Sequence, residues 1–136
     1  MTLRFILPII PTAQQRARHT RTGRAYKSTE QEANERTLEA VLIRHRPEKS
    51  LSGPVRLVFT ACMPMPASAS KKRRAAMQEG KIGHIVRPDV DNLSKQLLDA
   101  MTRLRFWEDD RQVVELIARK RYDETPRWEV EVSESV

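Results

Sequence analysis

The sequence predicts a small α/β domain of the α+β type, a mixed β-sheet with flanking helices. Three observations lead there. Strand-like and helix-like segments follow one another without an internal repeat or a long linker. The 136 residues are close to the commonest length for one domain, so residues 1–136 are read as a single domain. Hydrophobic residues make up 39% and aromatics 5%, enough for one core but lean, which favours oligomerisation because a partner surface supplies burial the monomer lacks.

The first element, "TLRFILPI", alternates as a strand with Leu3, Phe5 and Leu7 on one face. "RARHTRTGRAYKS" follows, dominated by Arg16, Arg18, Arg21, Arg24 and Lys27, and its "TRTG" marks a basic hairpin or ordered loop. Ser28 with Gln31 three residues on forms a capping-box pattern, and Glu30 and Glu32 suit the positive end of a helix. Leu38, Val41 and Leu42 then carry helical spacing, so a helix is expected from about Thr29 to Arg44. "VRLVFTACM" alternates again, with Val55, Leu57, Phe59 and Ala61 inward. "SKKRRAAMQE" reads as a short helix closed by Gly80, on which the consecutive Lys71, Lys72, Arg73 and Arg74 splay outward. A second long helix is expected over Asp91–Leu104, and "QVVELIARKRYD" with "RWEVEVSE" resembles a closing hairpin.

Lysine and arginine number 25 against 18 acids, a formal charge of +7 that favours a polyanionic partner such as nucleic acid. The one cysteine, Cys62, has no partner for an internal disulfide, and Pro8 and Pro11 interrupt the apolar start. No apolar run approaches a membrane-crossing length, and a cytoplasmic protein without membrane association is expected.

Against this basic background the carboxylates of "RPDVDN" stand out. On the helix that follows, Leu93, Leu97, Met101 and Leu104 cluster as a core face with Leu98 at its margin, while Asp91, Lys95 and Asp99 recur at four-residue spacing on the other side. That stripe alone fits solvated ion pairs, and Asp91 alone fits an N-cap. Asp89 two positions earlier and "EDD" (Glu108, Asp109, Asp110) beyond the helix add acids that a fold could gather. Close carboxylates repel unless a hard cation such as Mg²⁺ or Mn²⁺ neutralises them. An ion so held activates water and stabilises charge on phosphate, and an ammonium such as Lys95 could assist.

"RPDVDNLSKQLLDAM" followed by "FWEDDRQVVEL" resembles the RusA family of Holliday-junction resolvases, matching it at Asp89, Asp91, Asn92, Leu93, Lys95, Asp99, Ala100, Trp107, Asp109, Asp110, Gln112 and Val113. The spacing from Asp91 to Asp110 agrees with the family's, and the opening strand, proline turn and arginine-rich segment are loosely similar too. The resemblance implies an intertwined homodimer with two Mg²⁺-dependent sites (Mn²⁺ able to substitute) that nick opposed strands of a four-way DNA junction. It implies Asp89, Asp91 and Asp110 as metal ligands and Lys95 as the catalytic lysine. Many relatives carry a glycine where this chain has Arg105, which suggests a different local turn.

Arg16, Arg18, Arg21, Arg24, Lys27, Lys71, Lys72, Arg73, Arg74 and Arg87 are the expected DNA contacts. His19, His45 and His84 lack metal-ligand spacing, with His45 expected at a helix-end surface. Cys62 reads as a small core residue, Asp99 as an ion-pair partner of Lys95, and Trp107 as loop packing as readily as a base-stacking ring. Two rivals stand: a non-catalytic DNA-binding protein, and a PD-(D/E)xK nuclease, against which arginine after Asp110 speaks.

Overall fold

The computed structural model describes residues 1–134. A four-stranded sheet carries the order β1 (Thr2–Leu7), β6 (Arg127–Glu134), β4 (Val55–Met63), β5 (Val113–Tyr122). Between β1 and β4 lie the two-residue strands β2 (Arg18–His19) and β3 (Ala25–Tyr26) and the helix α1 (Thr29–Leu42), extended by a 3-10 turn at Ile43–His45. The helices α2 (Lys71–Gln78) and α3 (Val90–Arg103) connect β4 to β5. The sheet is mixed, as expected: β4 and β5 run parallel, and the other pairs are antiparallel.

The register explains the core. Across the sheet, Leu3, Val132, Leu57 and Leu116 form one row, Phe5, Val130, Phe59 and Ala118 the next, and Leu7, Trp128, Ala61 and Lys120 a third. Strand alternation points these rows at the helices, and Leu38, Leu42, Leu93, Leu97 and Met101 close over them. Burying each such leucine contributes about 1.5–3 kcal/mol. The opposite face carries ion pairs, Arg4–Glu131 and Arg56–Glu115 at 2.8 Å each.

Three expectations need correction. The last two strands are not a hairpin: β4 lies between β5 and β6, and their link crosses over its end, where the Asp123 N–H donates to Met63 O at 2.9 Å. The capping box at Ser28 is half formed. Ser28 Oγ accepts from the Gln31 N–H, but the Gln31 side chain turns inward. And α3 starts one residue early, at Val90 with Asp89 as N-cap, so Asp91 lies inside the first turn.

Gly80 ends α2 at φ +79°, with its own N–H on Met77 O and that of Lys81 on Ala76 O. The end of α3 repeats this pattern: the Arg105 N–H donates to Thr102 O and that of Phe106 to Met101 O. Arg105 itself sits at φ +63°, the left-handed conformation that glycine adopts freely and that costs other residues about 1–2 kcal/mol. Arg105 thus takes a turn that a glycine would also take, so its side chain does not by itself call for a different one.

Two buried carboxylates staple the periphery. Asp123 accepts from the Thr125 N–H, Gln78 Nε2 and Arg127, tying α2 to the strand ends. Glu35 accepts from Lys27 and Gln31. Burial pushes both carboxyls up, but these donors outweigh it and hold both below the usual carboxylate range. A depressed folded pKa adds stability that is complete above the unfolded value of about 4 and is lost as pH falls through the folded value. Urea midpoints should therefore stay nearly flat from neutral pH down to about 5 and drop below about 4, with a shallower acid limb in Glu35→Gln.

Candidate active site

The loop from Gly80 to Asp89 brings the chain from α2 to the head of α3. His84 is buried against Tyr122 with ring centroids 4.7 Å apart. Burial, then the Lys120 ammonium, push its imidazole below the ordinary range. Lys120 Nζ donates to Val86 O at 2.7 Å and to Pro88 O at 2.9 Å, so the third core row ends in a cation that fixes the approach to Asp89. No motif marked Lys120 in the sequence; only its place at the sheet edge reveals it.

Asp89 has the extended backbone of an N-cap, φ −75° and ψ 149°, yet its carboxylate accepts no helix N–H. Among the described residues its one side-chain hydrogen bond is a long one, from Asn92 Nδ2 at 3.5 Å. An aspartate placed to cap but turned away from the helix amides keeps its oxygens free for another ligand. Asp91, exposed in the first turn, adds a second carboxylate, and exposed Lys95 follows one turn on. Neither Asp91 nor Asp99 lies within ion-pair reach of Lys95 among the described residues, so the expected Lys95–Asp99 pair does not form.

Asp89 opens into a cleft of about 840 Å³, lined among others by Gln14, Arg16, Asn34, Arg87 and Asn92. A network of hydrogen bonds holds its wall in place. Gln31 Nε2 donates to Gln96 Oε1 (2.8 Å) and to Glu35 Oε2 (2.9 Å), while Gln31 Oε1 accepts from the Gln15 N–H. Gln96 Nε2 reaches Thr12 Oγ1, and the Gln14 N–H donates to Asn92 O at 3.0 Å. Buried and mutually satisfied amides of this kind fix one arrangement of α1, α3 and the 11–16 loop. The sequence marked Gln31 only as the capping-box partner of Ser28 and did not mark Gln96 at all.

Asp110 lies elsewhere. Trp107 Nε1 donates to Thr102 Oγ1 in the last turn of α3, and Gln112 Nε2 donates to Leu51 O and Gly53 O beside the start of β4. Asp110 thus stands by the first residues of β5, whereas Lys120, near the last, touches the loop of Asp89. The ends of a 14-residue helix are about 20 Å apart, and no group of three His, Cys, Asp or Glu that could hold a metal forms among the described residues of one chain. The structure brings Asp89, Asp91 and Lys95 together and leaves Asp110 at the far end of the helix. It also separates the two neighbouring acids: Asp109 caps the 3-10 turn Asp110–Gln112, accepting from the Arg111 N–H at 2.9 Å, and that bond lowers its pKa.

Of the expected DNA contacts, Arg16, Arg18, Arg21, Arg24, Lys71, Lys72, Arg73 and Arg87 are exposed. Lys27 is paired with Glu35 at 2.8 Å, and Arg74 donates to the carbonyls of Pro66 and Ala69, where it shapes the loop before α2. His45 is not simple surface: it stacks on Phe5 at 4.6 Å. Cys62 and Trp107 are wholly buried. No helix among the described residues is long and apolar enough to cross a membrane.

Comparison with known proteins places the chain in a family. The model of the family described as endodeoxyribonuclease RusA matches residues 7–133. A crossover junction endodeoxyribonuclease of Lactococcus phage r1t is 34% identical over 131 residues, 96% of this chain and 95% of that protein. RusA of Escherichia coli strain K12, also named a crossover junction endodeoxyribonuclease, is 30% identical over 114 residues, 84% of this chain and 78% of that one. YqaN of Bacillus subtilis, a protein without a described function, is 41% identical over 96 residues, 69% of this chain and 67% of its own.

Proposed function

The chain belongs to the RusA family of endodeoxyribonucleases, and from that premise we propose that it resolves four-way DNA junctions as a homodimer, nicking opposed strands in a Mg²⁺-dependent reaction. The observation that carries the reading is Asp89, uncommitted to the helix amides in a cleft edged by Arg16 and Arg87, with Asp91 exposed in the first turn of α3 and the third family acid at the opposite end of that helix. One chain holds two ligands and lacks the third at the same place. A second copy running the other way along α3 supplies it, so each site joins Asp89, Asp91 and Lys95 of one protomer with Asp110 of the partner subunit.

The surface near Asp110 supports such pairing. β5 is an open sheet edge, and Val114 and Leu116 are 62% and 41% exposed on it. Open apolar edges invite a second chain to cover them.

The donor set fits a hard divalent ion, since aspartate oxygens suit Mg²⁺, and Mn²⁺ substitutes readily. Bound there, the ion supplies an activated water and neutralises charge on the phosphate. The protein's own residues do the rest. Arg16 and Arg87 hold the backbone of the strand in the cleft, Lys95 stabilises negative charge one helical turn from Asp91, and the glutamine network keeps α3 in place. Lys71, Lys72 and Arg73 on α2 and the β2–β3 arm take the flanking arms of the junction, in the cytoplasm of a bacterial or phage-infected cell.

The test compares a labelled four-way junction with a linear duplex of the same arms. Symmetric nicks in the junction are expected with Mg²⁺ or Mn²⁺ and none with EDTA, while Asp89→Asn should cut about 10³-fold more slowly. Calorimetry should show Mg²⁺ binding to the wild type and its loss in Asp89→Asn. Equal cutting of the linear duplex would sink junction selectivity, and tight junction binding without cutting would favour an architectural role.

A further inference from the structure

The largest exposure of any big apolar side chain among the described residues belongs to Ile85, 93% accessible, with Val86 beside it at 56%. They sit on the loop three to four residues ahead of Asp89. This loop is held from both sides. His84, only 7% exposed, packs on Tyr122 immediately before Ile85, and Lys120 Nζ grips Val86 O and Pro88 O immediately after. Both residues are β-branched, so their side chains are stiff as well. A rigid mount that points two stiff apolar groups away from its own core calls for a partner.

The surroundings say which kind. Arg87 follows directly, Lys81 precedes on the same loop, paired with Glu79 at 2.9 Å, and the preceding helix α2 carries Lys71, Lys72 and Arg73 on its first turn, all exposed. Apolar protein interfaces are depleted of lysine at their centre. An apolar tip joined directly to exposed Arg87, in a chain of net charge +7, instead matches a polyanion with an apolar interior, which is nucleic acid at an interrupted base stack. Intact duplex shields its bases behind stacking, whereas a branch point opens them.

We propose that Ile85 and Val86 form a wedge that enters an opened base step at the branch point, while Asp89 and Asp91 face the adjoining strand. Four residues of chain reach at most about 14 Å, so the wedge and the cut fall within a few base steps of each other. The inference rests on the junction reading above, and its test separates the two.

The probe is 2-aminopurine placed at the branch point of a four-way junction, read in EDTA so that nothing is cut. Wild type should raise its fluorescence on binding. The Ile85→Ala/Val86→Ala protein should bind the junction with an unchanged salt slope but give no rise, and an Ile85→Leu/Val86→Leu protein should restore it. With Mg²⁺, the alanine protein should cut a fully paired junction about 10- to 100-fold more slowly and regain near-wild-type cutting when the branch point carries mismatches. A wild type that raises the fluorescence yet never cuts would overturn the nuclease reading and still support the wedge. Tight binding by wild type with no fluorescence rise, or an equal rise with the alanine protein, overturns the wedge. So does a change of mass by light scattering in the alanine protein, which would assign the pair to a contact between protein chains.

Discussion

Asp91→Asn and Asp110→Asn are each expected to be inert on a four-way junction, slower by about 10³-fold or more, and to regain cutting when the two chains are assembled together. Each variant lacks one half of every site. In a mixed dimer, the protomer that keeps Asp89 and Asp91 meets the intact Asp110 of the partner subunit, and one complete site returns. Random mixing puts half the dimers in that form, so about a quarter of wild-type sites should be active in the unsorted mixture and about half in dimers carrying both tags, each making single nicks and not paired ones. If all ligands came from one chain, no combination could rescue activity. Co-expressed chains with different affinity tags, purified on both and assayed for nicking, decide between the two. Rescue is demanded by α3, whose length keeps Asp110 away from Asp89 and Asp91 within a protomer.

Trp107→Ala should cost about 3–5 kcal/mol in urea denaturation without weakening junction binding by the folded fraction. The indole is wholly buried, lies edge-on to Phe106, and donates to Thr102 Oγ1 at 2.8 Å. It anchors the left-handed turn at Arg105 and pairs with Leu51 in an isolated bridge. Trp107→Phe keeps most of the packing and loses the N–H, so a smaller cost of about 1–2 kcal/mol is expected. A large loss of junction affinity with stability intact would instead make this ring a base-stacking group.

Local chemistry made much of the fold readable. Ser28 and Ser70 accept from the helix N–H groups three residues on, and Gly80 closes α2, because caps are decided by neighbours in sequence. The alternation of Val55, Leu57, Phe59 and Ala61 marked the central strand because one of its faces is wholly buried. What failed were relations between distant segments. The short link from Tyr122 to Arg127 has the length of a hairpin turn, and nothing local announces that β4 slots between the strands it joins. Asp89 and Asp91 are equally good caps by residue type, so the helix start could be misplaced by a residue or two. Their grouping with Lys95 follows from helix periodicity and was legible. The remoteness of Asp110 was not, because residue spacing does not say toward which end of a helix a returning chain points. Lys120 and the amides of Gln31 and Gln96 matter only through tertiary neighbours, and such residues carry no signature in one sequence.

The position of β6 has a consequence for the making of the protein. Of the six strands it comes last in sequence, yet it lies between β1, the first, and β4. Until residues 127–134 are in place, β1 has no strand beside it in this sheet, and β4 has at most its parallel neighbour β5. Closure of the sheet therefore waits on a pairing between segments far apart in sequence, and such long-range pairings form slowly. A chain stopped short of residue 127 does not lose an edge. It is left with two unfinished edges facing each other across a gap one strand wide, each open to the same gap in another nascent chain.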